Sequence, residues 1–226
     1  MDKAGLLQSV PLFARVPVHE LEALARNLGK RTFGKGMIIF HRGSPGQTLY
    51  IIESGAVRIF SLSETGQEIT VNIYGPGEVF GEMTVLDRGP RSAGALCLER
   101  TVTYTLHRDV FARCLERNPA LANGIIELLV ARLRYTTDYL ESLVFLDVCG
   151  RVAAKLLEMD ERYAEHGHRA GPTVRLTQGE LATWVAASRE SVNKVFSTFR
   201  DQGLIAVDGQ VVTILDRCGL EDQIVY

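Results

Sequence analysis

Near the start of the chain, Leu21, Leu24, Ala25 and Leu28 recur at helical spacing, which predicts helix within the first thirty residues. From Lys30 to about Leu106 the pattern changes. Short runs rich in Ile, Val, Tyr, Phe and Thr ("MIIF", "TLYIIE", "AVRIFSL", "EITVNIY", "TVTYTL") alternate with turns carrying Gly34, Gly43, Gly55, Gly66 and Gly77. Short strands at that spacing predict a sandwich or barrel. The apolar flanks of Gly81–Ala95 also read as strands.

From about Arg108 to Asp147 the glycines almost vanish. Ile126, Leu129, Leu133, Thr136, Leu140 and Leu143 recur at alternating steps of three and four. This is a heptad seam, so a single long helix is expected over 108–147, pairing with a second copy of itself. Thr136 is the polar residue of that seam. "LDVCGR" breaks the pattern, a further helix follows, and "GHRAGPT" reads as a loop. The expected division is 1–107, 108–147 and 148–226.

The C-terminal segment is the most legible. Thr177 and Glu180 form a capping box that opens a short helix. "AAS" ends it, and Ser188 is placed to cap a second helix from Arg189. Val192, Val195, Phe196 and Phe199 share one face of that helix; Arg189, Glu190, Asn193 and Lys194 lie on the other. Gly203 suits its stop, and "LIAVDGQVVTI" reads as a hairpin about an Asp-Gly turn. Helix, tight turn, polar-faced helix and hairpin make a winged helix-turn-helix, whose second helix fits a major groove. Arginine can donate twice to guanine and glutamate can accept from cytosine. Glu190 and Lys194 also have the spacing of an ordinary surface ion pair.

The formal net charge of the 226 residues is -2, so a nucleic-acid surface must be local. No apolar run reaches the ~18 residues of a membrane span, and no signal peptide is evident at the start. Cys97, Cys114, Cys149 and Cys218 lie far apart without metal-binding spacing. Reduced thiols in a cytoplasmic protein are expected. The H-x-H at His166–His168 sits in a polar loop, and no nucleophile–base set is visible, so neither a metal site nor an enzyme is expected.

In "GEMTVLDRGPRSAGA", Glu82 stands near one end and Arg91-Ser92 near the other. Arginine and a hydroxyl suit a phosphate; a carboxylate accepts from a ribose hydroxyl. The set suggests a ribose joined to a phosphate, against the alternative of a Glu–Arg surface pair.

From about Phe13 to Ile214 the chain resembles the cyclic-AMP receptor protein/fumarate-nitrate regulator (CRP/FNR) family, closest to its cyclic-AMP-binding branch. Gly81-Glu82-Met83 and Arg91-Ser92-Ala93 are similar to its phosphate-binding cassette. The resemblance implies an α+β architecture: a jelly-roll barrel, a dimerisation helix and a winged helix-turn-helix. It implies cyclic AMP held between barrel and dimer helix, with Glu82 on the ribose, Arg91 and Ser92 on the phosphate, and Thr136 and Thr137 on the adenine. It implies a homodimer reading a palindromic operator with TGTGA-like halves. Arg189, Glu190 and Lys194 would contact bases or phosphates, Ser188 and Asn193 share that surface, and Thr177 and Gln178 touch the DNA backbone. RNA polymerase is the implied partner. Effector-independent and cyclic-GMP- or cyclic-di-GMP-responsive members share much of this sequence. No cysteine precedes Cys97, against the iron–sulfur branch, and His41 and His107 are isolated, against a haem ligand. Two departures stand out: Gly179 where a polar phosphate contact is common, and Ala186 where glycine is frequent, tolerable if Ala186 keeps a negative φ.

Overall fold

The computed structural model describes residues 3–165, 173–175 and 177–225. Residues 167–172 of the predicted "GHRAGPT" loop and the His166–His168 motif lie outside them, while Thr173, the last residue of that loop, begins a strand instead. The chain divides into two compact units, Met1–Leu133 and Arg134–Tyr226.

The first unit opens with α1 (Lys3–Ser9), a 3-10 turn (Pro11–Phe13) and α2 (Val18–Ala25). Eight strands follow: β1 (Gly29–Phe33), β2 (Ile38–Phe40), β3 (Thr48–Ser54), β4 (Val57–Leu62), β5 (Glu68–Tyr74), β6 (Val79–Phe80), β7 (Gly94–Cys97) and β8 (Thr101–His107). They form two four-stranded antiparallel sheets, ordered β1-β8-β3-β6 and β2-β7-β4-β5. This is a jelly-roll-like sandwich. β3 shows how alternation builds its layers. Tyr50 and Ile52 join Phe80, Ala95 and Cys97 between the sheets, while Leu49 and Ile51 face a helical layer with Leu21, Leu24 and Phe111.

A short helix, α3 (Met83–Asp87), sits between β6 and β7. The helix expected over 108–147 is instead two, α4 (Arg108–Arg117) and α5 (Pro119–Phe145). Pro119 has no N–H to continue the ladder and biases the residue before it towards extended backbone. Asn118 has φ -129° and ψ 95°, and its Oδ1 accepts from Ala120 N at 3.1 Å. The seam itself lies wholly on α5. Ile126, Leu129, Leu133 and Leu140 are exposed, Leu133 and Leu140 by 68% and 59%.

The second unit holds the rest of α5, then α6 (Val148–Glu165), β9 (Thr173–Arg175), α7 (Gln178–Trp184), α8 (Arg189–Asp201), β10 (Ile205–Asp208), β11 (Val211–Ile214) and α9 (Arg217–Glu221). The strands pair antiparallel in the order β10-β11-β9. Leu156, Leu181, Val192, Phe196 and Phe199 are buried. Asp208 pairs with Val211, so the hairpin loop is Gly209-Gln210 rather than Asp208-Gly209. With φ +58° at Gly209, glycine takes the first central position of the turn, where a primed turn needs positive φ. The four cysteines are free, and burial pushes the Cys97, Cys114 and Cys149 thiols up.

Candidate functional site

Gly81 follows β6 with φ +77°, and α3 begins two residues later. That turn aims its carbonyl at Arg91. Arg91 Nη1 donates to Gly81 O and Nη2 to Thr48 O, each at 2.9 Å. The guanidinium carbon stands 4.1 Å from the centroid of the Phe40 ring and 5.7 Å from that of Tyr50. Its backbone is fixed as well: Arg91 N donates to Ser44 O at 2.9 Å, and Gly43 N to Arg91 O at 2.8 Å. A Cβ at Gly46 would stand 2.3 Å from Arg91 Nε, and one at Gly81 2.4 Å from Nη1. Those two positions must lack a side chain for the guanidinium to lie where it does.

The electrostatics set this group apart. Arg91 is only 4% exposed, and among the described residues no carboxylate forms an ion pair with it. Its Nε is buried without a hydrogen-bond partner among the described residues. Burial lowers its pKa, against smaller opposing effects of Tyr50 and Glu82. A buried cation without a counter-charge is costly, and a bound anion relieves that cost.

Glu82 is equally buried, at 4% exposure, but pairs with Arg132 on α5, not with Arg91. Arg132 also donates to Val79 O and stands 4.7 Å from the Tyr74 ring centroid. The surface Glu82–Arg91 pair considered from sequence is therefore absent, since both groups are buried and Glu82 has another partner. The Ser92 hydroxyl is exposed and donates to Met83 Sδ at 3.3 Å, a weak contact. Met83 is exposed and Ala93 half-buried. The two halves of the motif, ten residues apart at Gly81 and Arg91, thus meet at one place. Thr136 and Thr137 lie exposed on α5, in the second unit.

Sequence reasoning missed Arg132, Phe40, Tyr50 and Gly46. The sequence hint at Arg132 is its place one helical turn before Thr136.

The second constellation is on α7 and α8. Thr177 caps α7 in a reciprocal capping box: Glu180 N donates to Thr177 Oγ1 at 3.1 Å, and Thr177 N to Glu180 Oε2 at 2.7 Å. Gln178 follows, half-buried. Ser188 caps α8, accepting from Ser191 N at 3.0 Å. Val192, Phe196 and Phe199 are buried and Val195 half-buried, which leaves Arg189, Glu190, Asn193 and Lys194 exposed together. Lys194 and Glu190 form the ordinary ion pair, at 3.1 Å. Exposed pairs of this kind are weak, so both side chains remain available to a groove. Ala186, in the turn between the helices, has φ +50°, so the negative φ on which its tolerability was conditioned is not met. The turn needs a left-handed residue there: Ala187 N donates to Ala182 O at 3.0 Å, the closing bond of a Schellman motif.

Residues 30–118 match the Cyclic nucleotide-binding domain, and residues 150–223 the Crp-like helix-turn-helix domain. A CRP-like cAMP-activated global transcriptional regulator of Mycobacterium tuberculosis is 36% identical over 217 residues, which span 96% of this chain and 94% of that protein. The chain belongs to the CRP/FNR family. The Cyclic AMP receptor protein of Thermus thermophilus is 33% identical over 216 residues, covering 96% of this chain and 97% of that one. The CLP regulator of Xanthomonas campestris, described as c-di-GMP responsive, shares the fold with a TM-score of 0.79 at 24% identity, over 88% of this chain and all of that one. This chain is thus a bacterial transcription regulator of the CRP/FNR family, with a cyclic nucleotide-binding domain and a DNA-binding helix-turn-helix. Such relatives are regulators, not enzymes. Among the described residues no helix is long and apolar enough to cross a membrane.

Proposed function

We propose that this chain is a dimeric, cyclic-AMP-controlled transcription regulator of the bacterial cytoplasm. The observation that carries the reading is Arg91: a buried guanidinium without a carboxylate partner, held by two backbone carbonyls and two aromatic rings. A singly charged cyclic phosphate supplies the missing charge, with the Ser92 hydroxyl beside it. Glu82 accepts from the ribose 2′-hydroxyl while its ion pair with Arg132 holds the carboxylate in place. Gly81, Met83 and Ala93 shape the same loop. Thr136 and Thr137 take the adenine edge, one of the two hydroxyls coming from the partner chain. Relatives named for cyclic AMP support that choice of nucleotide.

The exposed seam of α5 supports dimerisation, because a solvated apolar stripe this long gains by burial against a copy of itself. Nucleotide binding shifts a pre-existing equilibrium and sets the two α8 helices about 34 Å apart, one turn of DNA. Arg189 and Glu190 then read base edges. Lys194 and Asn193 add base or phosphate contacts, and Thr177, Gln178 and Ser188 hold the backbone. The operator is palindromic, and RNA polymerase is the partner the regulator then meets.

Calorimetric titration with cyclic AMP and cyclic GMP tests the effector. Micromolar or tighter binding of cyclic AMP alone is expected; binding of neither overturns the effector assignment. Arg91→Lys keeps the charge but loses the planar fork, and should weaken binding at least about tenfold, roughly 1.4 kcal/mol.

A further inference from the structure

Outside these sites, Lys155 on α6 is a lysine only 7% exposed. A buried ammonium must be met on several sides, and this one is. Nζ donates to the Tyr135 hydroxyl at 3.0 Å and to Glu158 Oε2 at 2.7 Å. It also stands 4.0 Å from the centroid of the Trp184 ring, well within cation–π range.

These groups come from three helices of the second unit. Tyr135 is on α5, adjacent in sequence to Thr136. Lys155 is on α6. Trp184 ends α7, and the turn after it leads into the recognition helix α8. One turn before Lys155, Arg151 reinforces the joint: Nε donates to Val185 O at 2.8 Å and Nη1 to Leu146 O at 2.7 Å. The joint is also incompletely satisfied. Tyr139 Oη, one turn after Tyr135, and Trp184 Nε1 are buried without hydrogen-bond partners among the described residues. Unpartnered buried polar atoms raise the free energy of an arrangement. An arrangement bearing that cost is one that a second arrangement could relieve, and a two-state element is what coupling between sites requires.

We propose that Lys155 is the positioning residue that couples nucleotide binding to DNA binding, by tying Tyr135, next to the base-contacting threonines, to Trp184 at the end of α7. The proposal rests on the reading of Thr136 and Thr137 as nucleotide contacts. Nucleotide at those threonines fixes the α5 backbone at Tyr135. The Tyr135 hydroxyl then holds Lys155, and Lys155 holds the indole that sets where α8 begins.

The test measures, on the full-length protein, operator affinity with and without saturating cyclic AMP, and cyclic-AMP affinity by calorimetry. The wild type is compared with Lys155→Met, Lys155→Arg and Tyr135→Phe. Lys155→Met should keep nucleotide affinity within about threefold while its cyclic-AMP enhancement of operator binding drops about tenfold or more, within the usual span of allosteric coupling. Lys155→Arg, which keeps a cation over the indole, should recover most of that enhancement. Tyr135→Phe removes one hydroxyl and decides the matter if Lys155→Met does not fold; a reduced enhancement is expected there too. Enhancement unchanged in Lys155→Met, or in Tyr135→Phe where that decides, overturns the coupling alone. A wild type bound by cyclic AMP but without enhancement overturns the coupling as well. A wild type that does not bind cyclic AMP overturns the effector reading and the proposal with it. Trp184 is the sole tryptophan of the chain, so its emission reports the joint directly. Cyclic AMP should shift it in the wild type, and an unmoved emission at saturation is a second refutation.

Discussion

Ala186→Gly should stabilise the DNA-binding unit. Two helices in that unit end in the same Schellman motif. α8 closes with Leu204 N donating to Phe199 O at 2.9 Å and Gly203 at φ +71°. α7 closes with Ala187 N donating to Ala182 O at 3.0 Å and Ala186 at φ +50°. The left-handed conformation costs an L-residue roughly 1–2 kcal/mol that glycine does not incur. Glycine loses about 0.4–1 kcal/mol more chain entropy on folding. The balance favours glycine by about 0.5–1 kcal/mol, which for a domain of this size raises Tm by about 2–8 °C. The strain persists because its surroundings fix it: the motif closes across Ala186, and Arg151 holds the carbonyl of Val185 at 2.8 Å. Differential scanning calorimetry of Ala186→Gly beside Gly203→Ala checks this. The first should gain stability and the second lose it. A Tm for Ala186→Gly at or below that of the wild type refutes the reasoning.

Leu140→Glu puts a charge on the exposed seam of α5 and should leave a folded monomer in sedimentation velocity; an intact dimer would remove the seam from the interface. Arg189→Ala should lower discrimination at one guanine by about 1–3 kcal/mol. Equal losses on operator and random DNA in an anisotropy titration would make it a phosphate contact. Burial pushes the Tyr74 phenol above its ordinary value, so its neutral form is the folded one. That stability is complete below the unfolded value of about pH 10 and is lost as pH rises through the folded value. Tyr74→Phe should therefore flatten the alkaline limb of a stability–pH profile; an unchanged limb would assign it to other groups.

Where local chemistry decides structure, the sequence was readable. The Thr177–Glu180 box, the Ser188 cap and the apolar face of α8 lie within a few residues of their partners, and each forms as expected. The five β-rich runs became β2, β3, β4, β5 and β8, and the flanks of the loop became β6 and β7. β1, "GKRTF", gave no alternation signal because it is an almost wholly exposed strand at a sheet edge. The long-helix expectation overlooked Pro119, and the hairpin expectation placed its loop one residue early. Ala186 could not be read as left-handed, because the conformation is imposed by the motif around it and not by its own preference. For the proposed nucleotide cassette, residue types and spacing drew attention to Glu82, Arg91 and Ser92, and the structure brings Gly81 and Arg91 together. What surrounds them was not legible: Thr48, Phe40, Tyr50 and Arg132 reach the cassette only through the sandwich and α5, and no short-range pattern encodes that meeting.

Control of DNA binding by the nucleotide is tested most directly by fluorescence anisotropy of a labelled palindromic duplex, titrated with the full-length protein at fixed salt, with and without saturating cyclic AMP. A gain in operator affinity of about tenfold or more is expected with cyclic AMP, and no comparable gain on random duplex. Equal operator affinity in the two conditions would contradict it.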